Sequence, residues 1–348
     1  MEGKEMSIKG VGAGLQARVT EVKKHHAPKS KPVENKSSSS TQDTVTLSKE
    51  AQSLSSNTLS PSNRVLNHGN GNKVEGQGKG NQVRVGTEEK DATNNELRIA
   101  SNSTRIGVDG RGNQVSTVDE PYQLTVEGKG NSVSLGGKES IQRTVGTDNV
   151  AVQGGKRSDT LTVGDKNVVV NNGDFGLVTV TGDRNEVKNT TGDLGGRAGH
   201  IQVKGSDNKT EGKFENSDIE VTGNKNDVTT YDGKATVKGN QNDSTVGPSA
   251  KSRQVGDRNS IKVDGEGSFV GQKGDNNIAE VSGEKNQVAT NGNFNEVSIS
   301  GKNNMVEIQG DRVNVKVDGD NYHVVCKDGK VTATDAKPAG AGGGLNRL

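Results

Sequence analysis

Along residues 274–327 apolar and polar positions recur with a period of nine. Aligned on that period the stretch reads GDNNIAEVS, GEKNQVATN, GNFNEVSIS, GKNNMVEIQ, GDRVNVKVD and GDNYHVVCK. Each unit opens on Gly, and its fourth position is usually Asn. The sixth and eighth positions are usually apolar, while the fifth, seventh and ninth are mostly polar. Residues five to nine therefore alternate as a strand with one buried face does. Residues one to four are turn chemistry, in which Gly supplies positive φ and Asn tolerates the left-handed region and hydrogen-bonds nearby backbone. Two small aliphatic side chains per unit have no core of their own, so each unit needs the next one stacked upon it. The predicted fold is all-β, a parallel β-solenoid with strands ~4.8 Å apart along one axis.

The same phase can be followed through most of the chain. Repeats start near Ser60 (SPSNRVLNH, GNGNKVEGQ, GKGNQVRVG) and are interrupted by TEEKD at 87–91 and TGDLG at 191–195. The span 232–246 is short of two full units, register then holds over 247–327, and a short strand over 330–334 closes the stack. Inward pairs alternate in quality. Units opening at Gly164 and Gly182 offer Val169/Asn171 and Val187/Asn189, and the unit between them offers Val178/Val180. Alternation of period two implies two units, or 18 residues, per coil and two facing sheets. A three-sheet coil of 27 residues stays open for the units before Gly137. The fourth-position asparagines (Asn113, Asn131, Asn167, Asn185, Asn259, Asn277, Asn286, Asn295, Asn304) are expected to stack in ladders at the corners. The expected organisation is an arm over 1–59, a solenoid over 60–334 and a tail over 335–348.

The arm carries Pro28, Pro32, a Lys cluster and SSSSTQDT at 37–44, and reads as disordered. Within it, Leu47, Ala51 and Leu54 share one helical face. That spacing reads either as a short helix over 47–55 capping the first coil or as free chain.

Composition changes this picture little. Of 348 residues, 26% are hydrophobic and 2% aromatic, which on its own resembles a disordered chain. The 45 basic and 44 acidic residues balance, however, and a thin solenoid buries only a few side chains per coil. A net charge of +1 gives no bulk attraction to nucleic acid or an anionic membrane, and no basic stripe with aromatics is present. No apolar run approaches the ~20 residues of a membrane span. The N-terminal stretch lacks the apolar core of a secretory signal. A single Cys excludes an intrachain disulfide and a CxxC metal site.

Candidate chemistry is sparse. The nonapeptide period resembles RTX-type calcium β-rolls, whose G-G-x-G-x-D-x-U-x unit places Asp at the sixth position. Here that position is Val, Ile or Leu, so the resemblance extends to the β-roll and not to its calcium motif. Asp recurs instead at the second position (Asp165, Asp174, Asp183, Asp257, Asp275, Asp311, Asp320), beside Lys166, Arg184, Arg258 and Arg312. These read as solvated turn residues. His25, His26, His68, His200 and His323 lack metal-ligand spacing and read as solvated. Cys326 occupies an inward eighth position and reads as a buried, inert thiol, with His323 on the opposite face of its strand. Pectate-lyase-like β-helices cluster carboxylates and aromatics on one face, whereas acidic residues here are scattered. No catalytic, cofactor-binding or metal residue is assigned, and no enzyme is expected.

Two further resemblances bear on partners. The Gly-x-x-Asn phasing is similar to curli-type repeats, and an uncapped solenoid end is a strand edge able to pair with another copy. The VTLS…A…L pattern (Val45, Thr46, Leu47, Ser48, Ala51, Leu54), with MSIKGVG at 6–12, resembles flagellar anti-sigma factors of the FlgM type. The sigma-binding helices that follow this motif in that family are replaced here by repeats. The resemblance implies an unfolded arm suited to flagellar-type export. The expected function is a structural or interaction element: a spacer, an adhesin-like element or a filament subunit, self-associating through its ends or meeting a carbohydrate or protein partner. Its expected place is outside the cell or on its surface, reached by a non-Sec route. One alternative is a polysaccharide-binding or polysaccharide-cleaving β-helix with a groove lined by Tyr122, Tyr231, Phe214 or Phe294. Another is a regulator acting through the anti-sigma-like arm.

The inward/outward assignment makes one prediction. Val306→Asp buries an unpaired charge and should collapse local pairing, while Lys302→Asp should leave the melting curve nearly unchanged. Equal losses by circular dichroism would show the faces to be wrongly assigned.

Overall fold

The computed structural model describes, with short gaps, residues 64–335 together with the strands Thr44–Leu47 and Asn57–Thr58. All of them belong to the second of two units into which the chain divides, 1–41 and 42–348. That unit is a parallel β-solenoid. Its strands form two sheets, a front sheet of 17 and a back sheet of 16, and successive strands alternate between them except for Gln82–Val85 and Ala92–Thr93, both in the front sheet. Every pairing among the described strands is parallel, and the partner of a residue lies 18 positions away over most of the stack, as in Gln123↔Ile141 and Ile261↔Ala279. The two-unit coil therefore holds before Gly137 as well as after it, since Gln123 also registers on Arg105 and Ser132 on Gln114.

The irregular stretches of sequence fall between strands and leave the sheets continuous. The insertion at 87–91 separates Gln82–Val85 from Ala92–Thr93, and both strands pair with Arg105–Arg111. The insertion at 191–195 lies between two strands, so Leu177 registers directly on His200. The short span at 232–246 removes residues from the corners, and Val228 still meets Ser244.

Strands appear earlier than the repeat pattern predicts. Thr44–Leu47, within the stretch read as arm, pairs with Arg64–Asn67, and Asn57–Thr58 pairs with Lys73–Lys79. Leu47 is thus a strand residue, and the rest of the expected helix over 47–55 lies outside the described residues. At the other end Val331–Asp335 pairs with Val313–Asp320.

The corners explain the Gly-x-x-Asn signature better than turn propensity alone. In the corner 182–185 all four backbone N–H groups find partners in neighbouring coils. Gly182 donates to the Lys204 carbonyl at 2.9 Å and Arg184 to the Ser206 carbonyl at 3.0 Å. Asp183 donates to Asp165 Oδ1 at 2.8 Å, and Asn185 to Asn208 Oδ1 at 2.8 Å. The Asn link repeats without interruption from Asn95 to Asn295, and every asparagine in it is buried. Asn286 and Asn304 belong to the opposite corner, where Ser268 donates to Asn286 and Asn286 to Asn304. The asparagines read as one set therefore form two ladders.

The left-handed residue is the third of the corner, with the Asn at the fourth kept for the ladder. Lys166, Arg184, Lys225, Arg258 and Phe294 all have φ near +57°, between 56° and 59°. The first position needs Gly for a different reason. At Gly146 and Gly164 a Cβ would overlap the carbonyl oxygen of the glycine one coil below.

Inward positions supply the core, which falls into three clusters: Val74 to Leu135, Val169 to Val237 and Val246 to Val317. Val306, Ile308, Val315 and Val317 are all buried, as the alternation predicts. Between the first two clusters the pattern inverts. Gln142, Thr144, Gln153, Thr160 and Thr162 point inward and are at most 2% exposed, while Ile141, Leu161 and Val163 point outward. Strand alternation alone would favour a one-residue slip there. The Asn131–Asn149–Asn167–Asn185 ladder holds the register instead.

The corner geometry predicts three variants of one turn. Lys166→Gly should raise stability by about 1 kcal/mol by relieving a left-handed side chain. Lys166→Val should lower it, and Gly164→Ala should lower it most. Urea melts that ranked the glycine-to-alanine change as neutral would contradict the close approach at that corner.

Candidate functional site

Because the corners fix the backbone, outward side chains form a grid whose columns run along the stack. On the front sheet the central column reads Thr236, Arg253, Gly271, Ala289, Glu307. One flanking column reads Lys234, Lys251, Phe269, Gln287, Met305, and the other Lys238, Val255, Lys273, Asn291, Gln309. Gly271 and Ala289 have little or no side chain, so the face dips over them into a shallow cavity of about 540 Å³. Arg253 stands at one end of the dip and Glu307 at the other, with Phe269 and Lys273 on its sides. Phe269 is 47% exposed.

The cavity is biased toward cations. Lys234, Lys251, Arg253 and Lys273 line it, and among the described residues none of them is ion-paired. This contrasts with the rest of the surface, where pairs such as Arg143–Glu127 at 2.8 Å and Lys188–Glu186 at 2.7 Å are common. Glu307 is the one carboxylate lining the cavity, which contains neither His nor Cys. A two-carboxylate glycosidase arrangement is therefore not assembled in it. It presents cations to an anionic group, an exposed ring to an apolar surface and side-chain amides to hydroxyls.

On the back sheet of the neighbouring coils one outward column reads Lys209, Asp227, Asp243, Ser260. Asp227 and Asp243 register directly on each other, so two carboxylates stand side by side on adjacent strands. Burial, and secondarily the charge of Asp227, raises the carboxyl of Asp243 above the usual aspartate range.

The residues singled out in the sequence are dispersed over this framework. His200 faces outward with Nδ1 3.6 Å from Asp218 Oδ2. His25, His26 and His68 lie outside the described residues. Cys326 registers on Ile308, itself buried, and His323 registers on Met305. Tyr231, just past the back-sheet strand Asp227–Thr230, and Phe294 are both exposed at corners, and the Arg312 guanidinium lies 5.1 Å from the Phe294 ring centroid. Neither lines the front cavity, and Tyr122 and Phe214 lie outside the described residues. Among the described residues no group of three or more His, Cys, Asp or Glu is placed to hold a metal ion. The second-position aspartates are exposed but not idle: Asp165, Asp183, Asp257 and Asp275 each accept a backbone N–H from the next coil. Sequence reasoning passed over the front cavity because its floor is marked only by two small residues at seventh positions, 18 apart.

No protein-family model matches the chain, and neither does any curated protein or solved structure. The functional reading accordingly rests on the geometry.

The Asp227/Asp243 pair sets a pH dependence. A carboxyl raised in the folded state destabilises the fold at pH above its folded value, and protonation relieves the penalty as pH falls through that value. Asp243→Asn should therefore raise the melting temperature at neutral pH, and the gain should shrink in acid. A gain that persisted unchanged at low pH would assign it to something other than charge.

Proposed function

We propose that this chain is a non-catalytic structural element, a β-solenoid spacer that joins to further copies through its terminal strands. The observation that supports this best is the uninterrupted corner ladder from Asn95 to Asn295. It repeats one corner coil after coil, the regularity that a spacer calls for. Outside the front cavity charged side chains are spread along the faces, many of them in solvated pairs. At about 4.8 Å per coil such a stack sets distance in fine, regular steps. Among the described residues, Thr44–Leu47 and Asn57–Thr58 at one end and His323–Lys327 and Val331–Asp335 at the other each pair on one side only. Unpaired strand edges of that kind template a further strand. A cell-surface or extracellular setting suits a spacer of this kind and forms part of the proposal. A second reading, supported by the unpaired cations and Phe269 around the front cavity, is attachment of an anionic polysaccharide without cleavage.

Removing whole coils tests the spacer reading. Deleting residues 256–273 joins Val255 to Gly274 in phase and should give a folded particle about 4.8 Å shorter by electron microscopy. Deleting only 256–264 places front-sheet strands on the back sheet, breaks the Asn ladder and should lower stability sharply. Turnover of a glycan by the intact chain, or indifference to which deletion is made, would overturn the reading.

A further inference from the structure

Many glycines of the solenoid are required where they stand, by a left-handed backbone or by the close approach of the next coil, as at Gly146 and Gly164. Gly271 is required by neither. It sits in the middle of the front-sheet strand Phe269–Lys273, its φ lies outside the left-handed region, and a Cβ built on it would meet nothing within 4 Å. A glycine inside a strand costs stability, because it loses more backbone freedom on folding and packs no side chain. Nothing in the coil offsets that cost. What Gly271 provides is the open floor of the front cavity, and a strand glycine of this kind marks the close approach of another molecule.

The walls around that floor point to the kind of molecule. Outward neighbours within a strand stand about 7 Å apart, and neighbouring strands about 4.8 Å. Phe269 and Lys273 therefore flank Gly271 on its own strand, and Arg253 registers on it from the preceding front-sheet strand. Arg253 has Thr236 and Gly271 as column neighbours, Lys273 has Val255 and Asn291, and Lys251 has Lys234 and Phe269. None of these three cations has an acidic residue next to it in its column; Asp218 registers on Lys234, one strand further out. Lys251 on Lys234 is like charge on like, which destabilises a sheet until an anion lies beside it. Glu307 closes the far end of the central column, two strands and about 10 Å from Gly271.

We infer that the floor over Gly271 seats one uronic-acid ring of a polysaccharide, with the ring against Phe269 and its carboxylate between Arg253 and Lys273. The inference deepens the reading of the front cavity as an attachment site and rests on it. A pyranose ring combines an apolar C–H face with hydroxyls on its edge, and the cavity combines an exposed phenyl ring with side-chain amides. Asn291 Nδ2 donates to Gln309 Oε1 at 3.0 Å, which leaves Asn291 Oδ1 and Gln309 Nε2 to engage hydroxyls. A planar carboxylate matches the guanidinium fork of Arg253, and the Lys273 ammonium adds a second charge. The cavity, about 540 Å³, is roomy enough for one ring with its substituents. It is also shallow, so a seated ring keeps its linkage oxygens open to solvent and can belong to a longer chain.

Filling the floor separates the site from the fold. Gly271→Thr puts a β-branched side chain into open space on an extended strand, so the melting temperature should hold or rise. Isothermal titration calorimetry of the full chain with soluble polygalacturonate should show saturable binding for the wild type and none for Gly271→Thr. Phe269→Ala and Arg253→Gln/Lys273→Gln should each weaken binding about tenfold or more. Neutral dextran should not bind, and added salt should weaken the wild type more than Arg253→Gln/Lys273→Gln. If circular dichroism shows that Gly271→Thr does not fold, Gly271→Ser supplies the same comparison with a smaller side chain. Polygalacturonate binding that survives both Gly271→Thr and Phe269→Ala would overturn the seat and leave attachment to the cationic face standing. A wild type that binds no polygalacturonate would overturn both, and tighter binding of dextran sulfate would overturn the carboxylate as the recognised group.

Discussion

The constraint on which this solenoid depends is a side-chain carbonyl oxygen accepting a backbone N–H from the coil below. Asn185 donates to Asn208, which donates to Asn226, and so along the stack. At the 182–185 corner Gly182 and Arg184 reach backbone carbonyls of the next coil, whereas the amides of ladder residues such as Asn185 do not, and buried unpaired they would each cost about 1–3 kcal/mol. The ladder satisfies them with a neighbour's side chain, so a coil removed from its stack leaves those donors without partners. Repetition is therefore a condition of folding, in addition to the sharing of a core.

The ladder also explains how the interior tolerates residues that alternation would exclude. Gln142 and Gln153 are fully buried with both amide atoms unpartnered within the protein, and the hydroxyls of Thr144, Thr160 and Thr162 are in the same state. A slip by one residue would bury Ile141, Leu161 and Val163 instead, at the cost of displacing Asn149 and Asn167 from their rungs. The corners prevail because each rung is tied on both sides, so a local slip breaks bonds in three coils. The cost is an apolar core divided at this height.

A backbone held at its corners leaves the outward positions free. Fifth, seventh and ninth residues vary without disturbing the fold, and the grid they form carries whatever surface chemistry the protein has. The front cavity arises from Gly271 and Ala289 standing one above the other, and the Lys234/Lys251 and Asp227/Asp243 pairs from like residues recurring on neighbouring strands. Both features are properties of columns, not of any single unit.

The nine-residue period determined by itself the parallel solenoid, the inward set such as Val306 and Val317, and the placing of both five-residue insertions between strands. These were legible because they follow from local alternation and from a Gly-x-x-Asn signal that recurs in every few units. The tertiary structure decided which asparagines share a ladder, that the third corner residue and not the Asn is left-handed, and that Thr44–Leu47 joins the stack although it matches no repeat. It also decided that residues 141–163 keep their phase against their own hydrophobic pattern, and that Arg253, Gly271, Ala289 and Glu307 lie in one line. All of these depend on which residues stand one coil apart, 18 positions over most of the stack and between 16 and 23 where a corner shortens, an insertion intervenes or the first strands join. That correspondence exists only once the coils are stacked, because hydrogen bonds along the axis, and not neighbours along the chain, set it.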